Sequence, residues 1–357
     1  MHGADRRQTG GTGRHRHQGH RQDLLQHQSR QVTTCERRTR VWRSGTLSNE
    51  DVALGDLPQL LDQEDTLTWV DLLDPTQDDV QDLADATGLD KHTVEDALSQ
   101  SERPKAVRFH SYVFVTCFTV EGMAEDDELH RLSIIVLPRA VVTVRLGGDF
   151  PIDTVEATFE DDPDLVGLGP RALLHTILDT VVDGYFSVIT RIDEAVDDLE
   201  SSLFDQQHAG PAIARRAFTL HKAISRMRRV TLPMREVVTT MLRRAAGEQD
   251  RRGLLPYYED LYDHTMRVAE WSESLRDTLE SVQDTNLALG DAALNNIMKK
   301  LTSWAAIIAV PTAITGWYGQ NVPYPGFSKE WGFWCSTLLI VCIAVGLYVI
   351  FKRRNWL

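Results

Sequence analysis

The chain has 357 residues, of which 42% are apolar, and a formal net charge of −14. Its length exceeds that of one small domain, and its acidic balance argues against a nucleic-acid partner, because an acidic protein repels phosphates and attracts cations. The four cysteines form no C-x-x-C pair, which argues against a zinc ribbon or a thioredoxin-like redox site.

The N-terminal segment is basic. Its first 43 residues hold ten arginines against three acids and almost no apolar clusters. Such a composition cannot bury enough apolar surface to form a core, and it contains no apolar stretch of the kind found in a secretory signal. We predict a disordered basic extension over residues 1–45. Contact with nucleic acid or lipid, and a start codon placed too early, are alternatives for the same segment.

Residues 46–165 mix strand and helix patterns. Leu67–Leu72 alternates as a strand does, and Asp74-Pro75-Thr76 then begins a helix, with Pro75 at the first helical position. Further runs of β-branched or aromatic residues predict strands over Tyr112–Val120, Leu132–Leu137 and Ala140–Arg145. We predict a cytoplasmic α/β domain over residues 46–165.

From residue 166 onward the pattern is helical. We predict helices over Arg171–Phe204, over Ala212–Ala246 with a kink at Pro233, and over Leu254–Tyr318. The last would be about 95 Å long at 1.5 Å per residue, which is too long for a compact domain. Residues 166–300 are therefore expected to form a cytoplasmic stalk of long helices that leads into a membrane.

Two uncharged apolar stretches close the chain, over residues 301–318 and 333–351. Each is long enough to cross about 30 Å of hydrocarbon as a helix. Two lysines precede the first stretch and a Lys-Arg-Arg run follows the second, and basic flanks stay on the cytoplasmic side. We predict a multi-pass transmembrane hairpin over residues 301–351 in the cell (inner or plasma) membrane. Both termini, including a basic tail over residues 352–357, are then cytoplasmic.

The third long helix carries a polar stripe at heptad spacing. One series runs every seven residues, and a partner series holds Leu287, Asn295 or Leu294, Leu301, Ala309 or Ile308, and Gly316. The members of the first series are Asp284, Asp291, Met298, Ala305 and Thr312. A repeat of about 3.5 residues winds helices around one another, but its seam is normally apolar.

Carboxylates and amides in such a seam would be buried at high cost unless water or cations accompany them. The stripe therefore predicts a ring of helices around a wet, cation-containing channel. An oligomerisation stalk whose aspartates face solvent is the alternative. Towards the membrane, Met298 and Leu301 would form a hydrophobic constriction, and Thr312 a ring of hydroxyls. No charged side chain lies in the span, which suits Mg²⁺, a cation that keeps its bound waters.

Tyr318-Gly319-Gln320-Asn321, after Pro311-Thr312, together with the tail Phe351–Leu357, resembles the CorA-type magnesium transporter family. That family carries Gly-Met-Asn at the outer pore mouth and a basic tail that ends in Trp-Leu. The resemblance spans about residues 46 to 357. It includes the segments Asn295–Thr302, Tyr258–His264, Glu95–Leu98 and Arg103-Pro104-Lys105.

The resemblance implies a funnel-shaped homopentamer in which an α+β cytoplasmic domain is followed by long helices and a two-helix transmembrane hairpin. It implies a selectivity motif of Gly319, Gln320 and Asn321, in which Gly319 allows a sharp turn and Asn321 hydrogen-bonds the hydrated ion. Its pore-lining positions match Asn295, Met298, Leu301 and Thr312, to which the stripe adds Asp284, Asp291 and Gly316.

The resemblance also implies a regulatory pair. Asp96 and Asp260 match the acids that bind divalent cations between neighbouring protomers and hold the pore shut when internal Mg²⁺ is high. Taken by themselves, the two residues also fit ordinary surface acids exposed to solvent. The partners implied are further copies of the chain, the lipid bilayer and divalent cations, with no nucleic acid. Mg²⁺ would be both transported and regulatory, and no organic cofactor is implied.

Gln320 departs from the family, which has Met at this position, and so leaves the ion preference open towards Co²⁺, Ni²⁺ or Zn²⁺. The leading hypothesis is passive Mg²⁺ uptake driven by the membrane potential. A proton-coupled zinc transporter of the same fold, and a membrane scaffold that conducts nothing, are the alternatives. The sequence has no nucleotide-binding G-x-x-x-x-G-K-[ST] loop and no nucleophile–base constellation, so we do not expect an ATP-driven pump or an enzyme.

Overall fold

A computed structural model of the chain describes residues 35–99, 103–121, 128–203, 210–247, 253–320, 323 and 325–357. Residues 1–34 of the predicted extension and Asn321 of the predicted selectivity motif lie outside the described residues. The chain divides into two units. The first comprises the residues up to Val188 together with Met227–Glu270, and the second comprises Ile189–Arg226 with Trp271–Leu357.

The first unit contains a mixed β-sheet, which has seven strands within the described ranges. These are β1 (Glu36–Arg43), β2 (Thr46–Glu50), β3 (Thr66–Leu73), β4 (Lys105–Arg108), β5 (Val113–Glu121), β6 (Glu128–Val136) and β7 (Ala140–Leu146). Their spatial order is β2-β1-β3-β7-β6-β5-β4. β3 and β7 are parallel, with Thr68 opposite Ala140, whereas the other neighbouring pairs are antiparallel. The predicted strands around residues 67–72, 112–120, 132–137 and 140–145 are thus confirmed to within a few residues.

Five short helices accompany the sheet in the described part of the chain, and four long helices follow. The short ones are α1 (Leu57–Asp62), α2 (Gln77–Thr87), α3 (Lys91–Leu98), α4 (Ile152–Asp161) and α5 (Pro163–Gly167). The long ones are α6 (Pro170–Ser202), α7 (Gly210–Ala245), α8 (Leu255–Tyr318) and α9 (Glu330–Arg353). Pro233 lies inside α7 and Pro311 inside α8, and both helices continue through their proline.

Helix α2 begins two residues later than the sequence suggested, at Gln77 instead of Pro75. Thr76 is its N-cap, and the Thr76 and Asp79 side chains form a reciprocal capping box with each other's backbone N–H groups. Pro75 therefore precedes the cap instead of occupying the first helical position. A capping box satisfies two N–H groups that the helix cannot pair itself, which fixes the helix start more strongly than proline's restricted backbone does.

Apolar side chains cover both faces of the sheet. On one face, Val80 and Leu83 of α2 and Val94 of α3 join a buried cluster with Val70 of β3 and Val142 of β7. On the other face, the indole of Trp42 meets the Phe159 ring of α4 edge-on at 5.4 Å, and the Tyr185 hydroxyl of α6 donates to the Phe118 carbonyl at 2.6 Å. The first unit is therefore a three-layer α/β/α arrangement.

Strand β1 corrects the predicted N-terminal extension. Residues 36–43 were assigned to a disordered segment ending at residue 45, but they pair along their whole length with β3. Val41 and Trp42 are buried. The arginines on this strand meet acids of α4: Arg38 lies 2.6 Å from Asp153, and Arg40 lies 3.1 Å from Glu156. These acids neutralise a local excess of positive charge that had suggested disorder.

A polar network is buried between the parallel strands. The Arg145 guanidinium contacts the Asp71 carboxylate at 2.7 Å, and the Thr143 hydroxyl donates to the same carboxylate at 2.5 Å. The Trp69 indole N–H in turn donates to the Thr143 oxygen at 3.1 Å. A buried carboxylate is tolerated only when its charge and lone pairs are satisfied in this way. The network therefore links β3 firmly to β7.

Three described helices are long and apolar enough to cross a membrane. In α6, 67% of the apolar window is buried within the chain, so that its apolar residues belong to the fold's interior. In α8 and α9 the corresponding shares are 6% and 0%. The apolar windows of α8 and α9, which hold the two spans predicted from the sequence, are therefore largely uncovered by the described part of the chain.

Candidate functional site

Helix α8 is exposed on every side along a stretch just past its middle. Val282 is still buried, but residues 287–302 are all exposed, on every side of the helix. Among them Leu294, Ile297 and Leu301 expose 63%, 60% and 61% of their surface. A contiguous apolar surface of this kind marks a site of association with other molecules. Helix α8 therefore needs partners that a single chain does not supply.

The predicted stripe residues lie in this part of α8 and share one side of it. Because the helix is unbroken from Leu255 to Tyr318, residues at seven-residue spacing fall within roughly a third of its circumference. The side chains that we singled out are all exposed in the single chain: Asp284, Asp291, Asn295, Met298, Leu301, Thr312 and Gly316. The structure thus brings them to one continuous polar-to-apolar face, as the spacing predicted.

Thr312 presents its side chain as a hydrogen-bond acceptor. Its hydroxyl donates to the Ile308 carbonyl, with 3.0 Å between the oxygens. A hydroxyl has one proton and two lone pairs, so the Thr312 oxygen is left with acceptor capacity only. The waters around a hydrated cation direct their protons outward. An exposed Thr312 oxygen is therefore suited to receive them.

The described part of the predicted selectivity motif follows directly after α8. The Gly319 N–H donates to the Thr315 carbonyl at 2.8 Å, and the exposed Gln320 donates its N–H to the Trp317 carbonyl at 3.3 Å. Gly319 does not adopt the left-handed backbone that a sharp glycine turn would use. Its lack of a side chain matters for space instead, because a Cβ there would lie 3.0 Å from the Thr315 oxygen.

Asp96, the first predicted regulatory acid, forms an ion pair and a backbone hydrogen bond within its own chain. It lies near the end of α3, and its carboxylate forms a 2.8 Å ion pair with the Lys105 ammonium, each side chain being about one third exposed. The buried Arg131 of β6 donates to the Asp96 carbonyl and fixes this end of α3. Asp96 is thus positioned at the surface with its charge partly balanced by Lys105.

Asp260, the second regulatory acid, belongs to a cluster that sequence reasoning missed. Its carboxylate lies 3.8 Å from His264 one turn later on α8, and the other nitrogen of His264 lies 3.9 Å from Asp179 of α6. Potential ligand atoms of Asp179, Asp183 and His264 all lie within 4.8 Å of one another. Asp96 and Asp260 therefore have different partners within one chain.

Electrostatics in this cluster favour a cation. Burial raises the pKa of Asp179, an effect that the nearby His264 partly offsets. Burial, together with the negative charge of Asp179, also raises the pKa of Asp183. The Nδ1 atom of His264 is buried and has no hydrogen-bond partner among the described residues. Carboxylate oxygens and an imidazole nitrogen are ligands that divalent metals accept, and a bound cation would stabilise both ionised acids.

The signal for the cluster was present in the sequence as two pairs at i,i+4 spacing, Asp179 with Asp183 and Asp260 with His264. Each pair occupies one face of a helix. Only the packing of α6 against the start of α8 shows that the two faces meet.

Replacing Asp179 by Asn tests the charge balance of the cluster. The raised pKa means that the folded chain holds the Asp179 proton more tightly than the unfolded chain, so stability falls as pH rises through that window. At neutral pH, with no metal bound, the ionised Asp179 carboxylate therefore destabilises the folded chain. We expect Asp179→Asn to raise the thermal unfolding midpoint in EDTA, yet to reduce the further rise on adding Mg²⁺.

Asp197→Asn, an exposed acid further along α6, is the matched control and should leave both midpoints close to wild type. An undiminished response of Asp179→Asn to Mg²⁺ would show that the cluster binds no divalent cation.

Comparison with known proteins assigns the family. The CorA-like Mg²⁺ transporter protein family matches residues 64–353. The chain is 29% identical over 300 residues to the cobalt/magnesium transport protein CorA of Thermotoga maritima, covering 82% of this chain and 84% of that protein. It is 25% identical over 288 residues to the zinc transport protein ZntB of Pectobacterium carotovorum, covering 76% of this chain and 82% of that protein.

Solved structures share the fold over most of the chain. The complete structure of the CorA magnesium transporter from Methanocaldococcus jannaschii superposes with a TM-score of 0.71 at 22% identity, covering 90% of this chain and 98% of that one. The structure of full-length CmaX superposes with a TM-score of 0.70 at 19% identity, covering 89% of this chain and 97% of that one. The predicted fold class, an α/β domain followed by long helices and apolar helices, is confirmed. Since the family match extends over most of its length, the chain belongs to the CorA-like Mg²⁺ transporter family.

Proposed function

We propose that the chain is one subunit of a passive channel for divalent cations, with Mg²⁺ as its main substrate. The observation that carries the proposal is the exposed face of α8, along which aspartates, an asparagine and a threonine follow one another. Belonging to a family of transporters supports a role in transport and not in catalysis. Mg²⁺ is cargo in this proposal, and a regulatory ligand as well.

Self-association explains the exposed helix. Five copies around one axis, the homopentamer implied by the sequence resemblance, would cover the apolar sides of residues 287–302 with neighbouring helices. Asp284 and Asp291 would then face the axis, where repulsion between like charges is relieved only by water and cations. The apolar part of α8 beyond residue 301, with α9, would lie in the lipid of the cell membrane, with both termini in the cytoplasm.

An incoming ion would meet uncharged oxygens first. The mouth formed by Gly319, Gln320 and Asn321 and the ring of Thr312 oxygens offer acceptors to the waters of a hydrated Mg²⁺. Met298 and Leu301 form the narrow apolar zone below, which can close by excluding water. Asn295, Asp291 and Asp284 follow and attract the ion to the cytoplasmic end. A potential of 100 mV supplies about 4.6 kcal/mol for each divalent ion that enters.

Cytoplasmic divalent cations would control the opening of the channel by binding to the acids at the start of α8. Asp260 adjoins the Asp179–His264 cluster, and Asp96 of a neighbouring subunit would complete a bridge across the interface. Such a bridge holds subunits together while internal Mg²⁺ is high, and its loss frees α8 to move. Because Lys105 already pairs with Asp96, the metal must share that carboxylate, which suits a weak and reversible sensor.

A proton-coupled transporter of Zn²⁺, or of Co²⁺ or Ni²⁺, is the second candidate. Gln320 in place of the family's Met favours it, as does the 25% identity to a zinc transport protein. A non-conducting membrane scaffold is the third candidate. Uptake into liposomes containing the purified protein, with Mg²⁺ or Zn²⁺ outside and with or without a pH gradient, separates the three.

We expect Mg²⁺ uptake that follows the membrane potential, ignores the pH gradient and is abolished by Asn321→Ala. Zn²⁺ uptake that requires the gradient would favour the second candidate, and no flux of any ion would favour the scaffold. Mg²⁺ flux unchanged by Asn321→Ala would contradict the proposed role of the mouth.

Thr312→Val tests the acceptor ring, because valine has the same shape but lacks the oxygen. Loss of one acceptor per subunit should slow Mg²⁺ uptake by about tenfold, as expected for 1–2 kcal/mol of lost hydrogen bonding. Thr337→Val on α9 is the matched control, since the Thr337 hydroxyl makes the same bond to the carbonyl one turn earlier, at 3.0 Å. Equal effects of the two substitutions would place Thr312 outside the ion path.

Asp260→Lys tests the sensor by replacing a ligand with a charge that repels cations. We expect channels that keep conducting when internal Mg²⁺ is high, together with loss of the Mg²⁺-dependent protection of the chain against protease. Glu259→Lys, the adjacent and equally exposed acid, makes the same charge change away from the cluster and should keep both responses. Intact protection in Asp260→Lys would exclude this residue from the sensor.

A further inference from the structure

A buried histidine lies where α6 packs against the start of α8. His175 of α6 exposes only 7% of its surface. Its ring meets the rings of Tyr257 and Tyr258 edge-on, with 5.6 and 5.4 Å between the ring centres, and its Nε2 atom lies 3.0 Å from the Tyr257 carbonyl oxygen. Both tyrosines belong to the first turn of α8, and all three residues lie in the first unit. The imidazole is therefore a direct link between the two helices.

The surroundings of His175 select its neutral form. A carbonyl oxygen only accepts, so Nε2 carries the ring proton and donates a hydrogen bond to Tyr257. Nδ1 is then an acceptor, and it is buried with no hydrogen-bond partner in the described part of the chain. Protonation would place a second N–H at this atom and leave it unsatisfied. Because a buried donor without a partner is costly, acid would weaken the contact between α6 and α8.

The charged groups around His175 do not remove this preference. Arg171 and Asp179 lie on α6 one turn to either side, and Asp260 acts on the ring from α8. Burial is the largest influence and lowers the pKa of His175, while the Tyr257 carbonyl and the Asp260 carboxylate partly oppose it. The folded chain therefore binds this proton less tightly than the unfolded chain. The stability that the neutral ring contributes is complete above histidine's ordinary pKa, and it is lost as pH falls from there towards the lowered pKa of the folded chain.

We propose that His175 makes the contact between α6 and the start of α8 sensitive to pH, and that acid thereby weakens the binding of divalent cations at Asp260. The second part rests on the proposed function. Tyr257 lies within one turn of Asp260 on α8, so loosening at the Tyr257 carbonyl would shift that carboxylate, and a charged imidazole would repel a cation from it. By thermodynamic linkage, a cation bound at Asp260 must oppose protonation of His175 by the same factor.

His175→Gln separates charge from packing, because the glutamine amide can still donate to the Tyr257 carbonyl but cannot be charged. The measurement is the thermal unfolding midpoint of the purified full-length protein in EDTA, at about pH 7.5 and about pH 5.5, on either side of histidine's usual titration range. We expect acidification to lower the wild-type midpoint by about 2–4 °C more than that of His175→Gln. His221→Gln, which replaces an exposed histidine of α7, is the matched control and should keep the wild-type response to pH.

Hydrogen exchange in the wild-type protein, also in EDTA, is an independent readout. After correction for the direct effect of pH on exchange rates, the backbone amides of the first turns of α8 should be less protected at the lower pH, because local opening exposes them. This measurement needs no variant, so it tests the contact even if His175→Gln does not fold.

The link to the sensor is tested by the Mg²⁺ concentration that gives half-maximal protection against protease. Between the two pH values, we expect that concentration to rise about fivefold more in wild type than in His175→Gln, at the lower end of typical coupling between two sites. The maximum protection at saturating Mg²⁺ should stay the same, which separates a change in affinity from a loss of structure.

An equal loss of the unfolding midpoint on acidification in wild type and His175→Gln, or unchanged protection of the first turns of α8, would overturn the pH-sensitive contact. Equal shifts of the half-maximal Mg²⁺ concentration would overturn its link to the sensor. Wild-type protein that Mg²⁺ does not protect at either pH would contradict the proposed function instead, and the two measurements in EDTA would still decide for or against the contact.

Discussion

The rest of this structure depends on one constraint: the described part of the chain leaves a long stretch of α8 uncovered on every side. Sixteen consecutive residues are exposed around the whole helix, and the apolar window that follows is almost unburied. Water cannot stabilise that surface, so neighbouring helices and lipid must. Once several copies of α8 share an axis, the heptad stripe determines what faces it, and acids and amides there require a wet interior. The proposed assembly, membrane insertion and ion path would thus all follow from this one exposed helix.

The first unit carries a cluster of acids beside the beginning of α8. Asp179, Asp183, Asp260 and His264 concentrate negative charge and ligand atoms there. Burial raises the pKa values of Asp179 and Asp183, so a bound cation would lower the cost of ionising them. The same part of the chain is fixed by Tyr258 of α8, whose hydroxyl donates to the Arg171 carbonyl at 2.9 Å. A cation bound to the cluster would therefore act on the first turns of α8.

The sequence predicted those parts of the fold that local patterns determine. Strands β3, β5, β6 and β7 follow runs of β-branched or aromatic residues, and α8 and α9 follow long apolar or periodic stretches, so these elements were predicted. The short strands β2 and β4 were not. Strand β1 was missed because composition was averaged over a basic segment, while the acids that pair with Arg38 and Arg40 lie more than a hundred residues later. The start of α2 was misplaced because the capping box, not proline, determines it.

The residues of the candidate site likewise fall into those that the sequence could predict and those that it could not. The stripe on α8 was predictable because all its members lie on one helix at a fixed spacing. The cluster around His264 was not, since it joins residues from elements far apart in sequence. Gly319 does not adopt the left-handed backbone expected of a sharp turn, and a Cβ there would lie 3.0 Å from the Thr315 carbonyl oxygen. Its place in the selectivity motif stays a prediction. The residue pattern along one helix or strand predicts features of that element alone. It contains no information on how separate elements pack together.

The exposed stretch of α8 also bears on the life of a newly made chain. Until it meets its partners, each copy displays Leu294, Ile297, Met298 and Leu301 to the surrounding water. Chaperones and quality-control proteases recognise surfaces of this kind, so a copy without partners would be a target for degradation. In the proposed assembly, shielding of this stretch by sister copies would therefore prolong the lifetime of each copy in the cell.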